Sequence, residues 1–135
     1  MRFVPPPDLW RDAFDRDAAA FADVLGTADP TTPVASCPGW TLADLAGHLG
    51  GVHRWAHASL GTPVEGPPPS TDPAPDDDLH AWFAGGATAL GTTLRNVEPE
   101  QPCWGFGPRP RTASFWIRRQ AHETAMHRWD AESAA

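Results

Sequence analysis

Proline is the residue that most limits how this chain can fold. The 16 prolines among its 135 residues form four clusters, within residues 5–7, 30–38, 63–75 and 99–110. Because proline breaks the interior of a helix, helices are expected in the stretches between the clusters. Those proline-free stretches cover residues 8–29, 39–62, 76–98 and 111–135. The distribution therefore predicts four helices joined by proline-rich connections.

Apolar residues recur at helical spacing in these stretches, whereas sustained alternation typical of strands is absent. Examples are Trp10, Phe14, Phe21 and Leu25 in the first stretch and Leu42, Leu45, Leu49, Val52 and Ala56 in the second. Thr41, with Asp44 three residues later, predicts a capping box before the second helix. We predict one all-α domain over residues 1–135, a four-helix bundle with long connections between helices 2 and 3 and between helices 3 and 4.

Charge and hydropathy exclude several classes of partner. The net charge of −7 and the pI of about 5.1 disfavour nonspecific binding to nucleic acid. No apolar run approaches the ~20 residues that a membrane span needs, and the N-terminus has no apolar signal core. We therefore expect a cytoplasmic protein without a membrane partner, in which Cys37 and Cys103 are free thiols.

Histidine and glutamate in the last stretch form a candidate metal-binding pair. Glu123 and His127 are four residues apart, so a helix places one above the other and both can reach one ion. His122 and His127 are five residues apart, about 140° around a helix, and cannot share a site. The segment HETAMH is therefore different from the HExxH signature of zinc proteases, whose two histidines are four apart.

A third ligand must come from another helix. His48 follows Leu45 by three residues and is expected at the edge of the apolar stripe, pointing inward, whereas His53 and His57 fall on the more polar side. His48 facing Glu123 and His127 would give two imidazoles and one carboxylate. That set suits a zinc-like divalent ion with one position open for water or substrate.

The same residues also fit roles without a metal. Glu123 and His127 could be a surface ion pair, and His48 a hydrogen-bonded histidine. Cys37 is expected to be a small buried residue, and Arg109 and Arg111 to belong to a solvated loop. For orienting a liganding imidazole, the candidates are Asp130 and Asp44.

Two stretches resemble a known family. SCPGWTLADLAGHLGGVHRWA (36–56) and GPRPRTASFWIRRQAHETAMHRWDAE (107–132) are similar to the metal-binding N-terminal domain of mycothiol-dependent maleylpyruvate isomerase-like proteins of actinobacteria, within the DinB-like superfamily. The resemblance extends from about Phe14 to Glu132. It implies an up-down-down-up bundle that holds a divalent ion, usually zinc, through residues matching His48, Glu123 and His127.

The resemblance also implies a chemistry. The member that names the group isomerises maleylpyruvate to fumarylpyruvate with mycothiol as the thiol cofactor, and relatives include thiol S-transferases. We therefore expect a metal- and mycothiol-dependent isomerase or S-transferase that acts on an electrophilic small molecule. Full-length relatives often carry a C-terminal domain that completes the pocket, and we expect this chain to be the N-terminal domain alone.

Other functions stay open at this point. The alternatives are a non-catalytic metal sensor or ligand-binding or partner-binding module, and a hydrolase in which the metal activates water. Bundles of this size often dimerise, so a homodimer is one state that the sequence allows. The residues that would bind the substrate and the thiol are not assigned by spacing.

Overall fold

The computed structural model describes residues 5–135, which form four helices. They are α1 (Pro7–Thr27), α2 (Leu42–Leu60), α3 (Leu79–Asn96) and α4 (Ala113–Ala134). Over these residues there is no strand beyond two isolated bridges, which join Pro33 to Thr41 and Pro102 to Thr112. The all-α four-helix bundle and the long connections that follow α2 and α3 are thus confirmed.

The helices pack in the cyclic order α1, α3, α2, α4, since α1 and α2 each contact both α3 and α4. Pairs of contacts fix their directions. Between α1 and α3, Arg11 contacts Leu94. Between α1 and α4, Trp10 contacts His122 and Asp17 contacts Arg128. Between α2 and α4, His48 contacts His127 and His53 contacts Thr124. Helices α1 and α4 are parallel, and α2 is antiparallel to both. Helix α3 is antiparallel to α1, since His80 lies beside Gly26 while Leu94 lies beside Arg11, and the arrangement is therefore up-down-down-up.

The core lies along the axis between the four helices. Its largest fully buried side chains include Trp116, Phe14, Phe21, Phe83, Leu42, Leu45, Leu49 and Leu90. Burial of a side chain of this size stabilises the fold by about 1.5 to 3 kcal/mol relative to exposure. The core therefore holds α2 and α4 side by side, and the edge of their contact remains at the surface.

The start of α2 is fixed by the predicted capping box. The side chain of Thr41 accepts a hydrogen bond from the backbone N–H of Asp44, and the carboxylate of Asp44 accepts one from the backbone N–H of Thr41. Asp44 is thereby engaged in helix capping, so it is not the carboxylate that orients an imidazole. Cys37 and Cys103 are both free, as predicted.

Among the described residues, no helix combines the length and hydropathy needed to span a membrane.

Candidate metal centre

The bundle brings together the three side chains that the sequence singled out. Nε2 of His48 on α2 lies 3.4 Å from Oε1 of Glu123 on α4, and Nε2 of His127 lies 3.2 Å from the same oxygen. The two imidazole rings meet edge to face with centroids 5.1 Å apart. One ligand atom from each residue lies within 4.8 Å of the other two. Both histidines thus present the same nitrogen to one carboxylate oxygen.

His48, Glu123 and His127 form a triad whose side chains differ in exposure to solvent. The side chain of His48 is 38% exposed, that of Glu123 18% and that of His127 8%. His48 was expected to point inward, but it lies at the rim of the bundle, where its ring packs 5.1 Å from that of Trp40. The triad is therefore anchored in the protein at His127 and open to solvent at His48.

The electrostatics of the triad favour a bound positive charge. The hydrogen bond with His127, followed by the one with His48, lowers the pKa of Glu123 against the opposing effect of burial. The same contact with Glu123 raises the pKa of His127, again against burial. The carboxylate is thus kept ionised, and Nε2 of His127 is drawn towards a proton or a cation.

Asp130 orients the most buried ligand. Its Oδ2 accepts a hydrogen bond from Nδ1 of His127 at 2.9 Å, which leaves Nε2 to face Glu123. The hydroxyl of Ser36 donates to the other carboxylate oxygen at 2.7 Å. Burial raises the pKa of Asp130, but the hydrogen bonds from Ser36 and His127 outweigh burial and lower it. Of the two orienting carboxylates considered from sequence, Asp130 is the one in place.

Cys37 has a different environment from the one expected. It is half-buried, and its thiol lies 3.7 Å from Oδ2 of Asp130, so that Cys37, His127 and Asp130 form a second cluster of possible ligands. Burial, followed by the charge of Asp130, raises the pKa of the thiol. The carboxylate of Asp130 already accepts hydrogen bonds from Ser36, Cys37 and His127, so its oxygens are engaged within this second cluster.

His53 is where the sequence reasoning was wrong. It was assigned to the polar side of α2, yet it is fully buried, and its Nε2 lies 2.9 Å from the hydroxyl oxygen of Thr124. Burial lowers its pKa to about 3. Because α2 packs against α3 as well as α4, its buried face is wider than the predicted stripe and centres on Leu49 and His53, while Val52 is only half-buried. His57 is exposed, as expected.

A surface cavity adjoins the triad on α4. It has a volume of about 260 Å³ and includes Glu123 in its wall, together with Phe115, Arg118, Arg119, His122 and Met126. Phe106 packs edge to face on Phe115 of this wall, with ring centroids 5.0 Å apart, and stacks on Trp55 of α2 at 5.5 Å and 12°. The residues of this wall all lie on α4 at helical spacing, a signal that sequence reasoning did not use; the packing of Phe106 on Phe115 depends on the path of a connection and could not be read from spacing.

The family of this four-helix bundle is identified by comparison with models of known protein families. The family model described as the mycothiol maleylpyruvate isomerase N-terminal domain matches residues 11–132. The chain belongs to this family. The triad of this mycothiol maleylpyruvate isomerase N-terminal domain lies wholly within the matched residues, as do Ser36, Cys37 and Asp130. Neither the curated proteins nor the solved structures contain a significant match to the chain.

Membership confirms the resemblance drawn from residues 36–56 and 107–132. Membership is consistent with the use of a low-molecular-weight thiol, because the description of the family names a mycothiol maleylpyruvate isomerase.

Proposed function

We propose that this domain binds a divalent metal ion, zinc in the first instance, through His48, Glu123 and His127. The observation that carries the proposal is the single carboxylate oxygen of Glu123, which faces Nε2 of both histidines at 3.4 and 3.2 Å. Two imidazole nitrogens and one carboxylate oxygen are a donor set that zinc takes in catalytic sites. We further propose that the domain uses mycothiol to isomerise, or to transfer a thiol to, an electrophilic small molecule.

The residues of the triad fit such an ion. Catalytic zinc sites keep one position free, whereas structural sites are closed by four protein ligands. The triad offers three ligands, and its exposed member, His48, leaves it accessible from solvent. Asp130 holds Nδ1 of His127 so that Nε2 is directed at the ion position.

The chemistry divides between the ion and the protein. A bound divalent ion would supply positive charge that lowers the pKa of an adjacent thiol. Glu123 and His127, together with His48, would hold that ion at the open edge of the bundle, and Asp130 keeps the imidazole of His127 in one orientation. A thiolate of the cosubstrate can add to one carbon of an electron-poor C=C bond, so that a C–S bond forms, the π bond breaks and its electron pair goes to the neighbouring carbon. Rotation about the resulting single bond and expulsion of the thiolate restore the double bond and give isomerisation, whereas return of the thiol's proton to that carbon releases the thioether and gives S-transfer.

Metal analysis of His48→Ala tests the ligand assignment. We expect the purified native domain to bind one equivalent of Zn²⁺ tightly and His48→Ala to lose tight binding. His57→Ala is the matched control, because His57 lies on the same helix but is exposed and outside the triad. Full occupancy in His48→Ala would show that the assignment is wrong.

Thiol binding separates the enzyme from a non-catalytic module. Co²⁺-loaded domain should change its visible spectrum when mycothiol is added and should accelerate thiol consumption by an electrophile. Metal binding without any effect of thiol would favour a sensor, a partner-binding module or a hydrolase. Cytoplasmic location, a homodimer and the single-domain boundaries at residues 1–135 stay predictions.

A further inference from the structure

We infer that Arg119 binds an anionic group, such as a carboxylate, on the small molecule that reacts at the triad. The inference rests on the proposed function and adds to it a recognition site on α4. It names a chemical class of ligand that carries negative charge a short distance from its reacting atom. Three features support it: the position of Arg119 beside Glu123, the absence of a carboxylate partner among residues 5–135, and the aromatic rings that hold the guanidinium.

Arg119 lies one helical turn before Glu123 on α4. Four residues correspond to a rise of about 6 Å along the axis. Both residues line the same surface cavity of about 260 Å³. A molecule that reacts beside Glu123 would therefore place a group a few atoms away within reach of the Arg119 side chain.

Arg119 makes no ion pair with any residue from 5 to 135. Glu123 is at the i,i+4 position, where an intrahelical ion pair is common, but its carboxylate faces His48 and His127 instead. The guanidinium of Arg119 lies 4.7 Å above the ring of Phe106 and 5.9 Å from that of Phe115. Its charge is thus available to a ligand.

The aromatic rings hold the guanidinium in place. Phe106 stacks on Trp55 of α2 and meets Phe115 and Trp116 of α4 edge to face, so its ring is fixed between two helices. A cation held over such a ring loses less conformational entropy when it binds an anion. The chain as a whole has a net charge of −7, whereas this side chain places a positive charge beside the candidate reaction centre.

Arg118 provides the contrast within the same helix. It is also exposed and shares the wall of the cavity that includes Glu123, but it lies five residues from Glu123, about 140° around the helix, whereas Arg119 lies about 40° away. Arg118 also lines a second cavity, with Trp10 and Pro99. No aromatic ring supports its guanidinium among the described contacts. The geometry therefore selects Arg119 as the anion-binding residue and makes Arg118 a matched control.

The test compares charged and neutral thiols of equal length. Zinc-loaded protein is titrated by calorimetry with mercaptopropionate and mercaptohexanoate and with the corresponding mercapto-alcohols. We expect one of the acids to bind about tenfold more tightly than its alcohol, the advantage of one charge-assisted hydrogen bond at a partly exposed position. Arg119→Gln should remove this preference without changing the affinity for the alcohols, and Arg118→Gln should retain it.

The outcomes separate this inference from the proposed function. An acid preference that survives in Arg119→Gln, equal binding of acids and alcohols by the native protein, or loss of the preference only in Arg118→Gln would overturn the assignment. If zinc binds but no thiol does, the proposed thiol chemistry fails instead. NMR of the Arg119 Nε–Hε signal with a thiol-free pair then decides: a shift with hexanoate but not with hexanol supports anion binding, and no shift with either overturns it.

Discussion

Two contacts between α2 and α4 lie side by side and have opposite chemistry. In the interior, His53 meets Thr124, and burial lowers the pKa of this imidazole to about 3. At the rim, His48 and His127 meet Glu123, whose carboxylate raises the pKa of His127. The first contact holds a neutral imidazole, whereas the second attracts positive charge.

The difference shows that the packing of a histidine, more than its place on a helix, decides what it can do. His53 is enclosed by apolar rings, with Phe14 at 5.1 Å and Phe83 at 5.4 Å, so a charged form would be unsolvated. His127 is also mostly buried, but it has a carboxylate on each side, Glu123 at Nε2 and Asp130 at Nδ1. The contact at the rim can therefore bind a cation, whereas the contact in the interior stabilises the fold.

The largest expected effect is the loss of metal binding in His127→Gln. Removal of a ligand should lower Zn²⁺ affinity by more than about 100-fold, beyond the 10- to 100-fold loss that follows removal of a group supporting a ligand. Competition with a chromophoric chelator measures the change. His122→Gln is the control, because His122 is an exposed imidazole on the same helix that packs on Trp10. Equal losses in both variants would contradict the triad.

The reverse pattern is expected for His53→Ala. This change leaves a cavity between α2 and α4 and removes the partner of the buried Thr124 hydroxyl. We expect the free energy of unfolding of the metal-free protein to fall by about 2 to 4 kcal/mol, measured by urea denaturation. Zn²⁺ affinity should stay within about twofold of the native value at temperatures where the variant is folded. His57→Ala, an exposed site on the same helix, should leave both quantities unchanged. A fall in affinity as large as in His127→Gln would make His53 part of the metal centre.

An intermediate effect is expected for Asp130→Asn. The amide can still fill the space, but it no longer offers two charged oxygens to His127 and Ser36. Zn²⁺ affinity should fall by about 10- to 100-fold, the usual cost of losing the group that orients a liganding imidazole. Glu132→Gln, which removes an exposed carboxylate two residues away on α4, should leave the affinity unchanged. Unaltered binding in Asp130→Asn would show that His127 needs no orientation from this carboxylate.

The sequence predicted the rim contact better than the interior one. Proline clusters placed the four helices, and the four-residue spacing of Glu123 and His127 placed two of the triad on one helix face, because both signals are local. The burial of His53 depends on how two other helices pack against α2, and the contact of Cys37 with Asp130 depends on the fold of the first connection. The stacking of Arg119 on Phe106 likewise arises only when a proline-rich connection meets α4.

The smallest expected effect is a pH dependence of opposite sign at the two contacts. In the metal-free protein, His53 stays neutral when folded but takes up a proton when unfolded as pH falls through 6.5. This proton uptake by the unfolded state should lower the free energy of unfolding by about 0.8 kcal/mol when the pH is reduced from 7.5 to 6.0. The folded-state pKa of His127 is raised, so its contribution is complete below the unfolded pKa and is lost as pH rises. Acidification over the same interval therefore adds stability through His127.

Two variants separate these opposing contributions, each measured by urea denaturation at both pH values. His127→Gln should lose more stability on acidification than the native protein, because only the unfavourable contribution of His53 remains. His53→Gln should lose less, or gain. Glu123 does not disturb the comparison: its lowered pKa gives stability that is present above the unfolded value near 4.5 and is lost only as pH falls further. If both variants respond to pH in the same direction relative to the native protein, the two contacts are not electrostatically distinct.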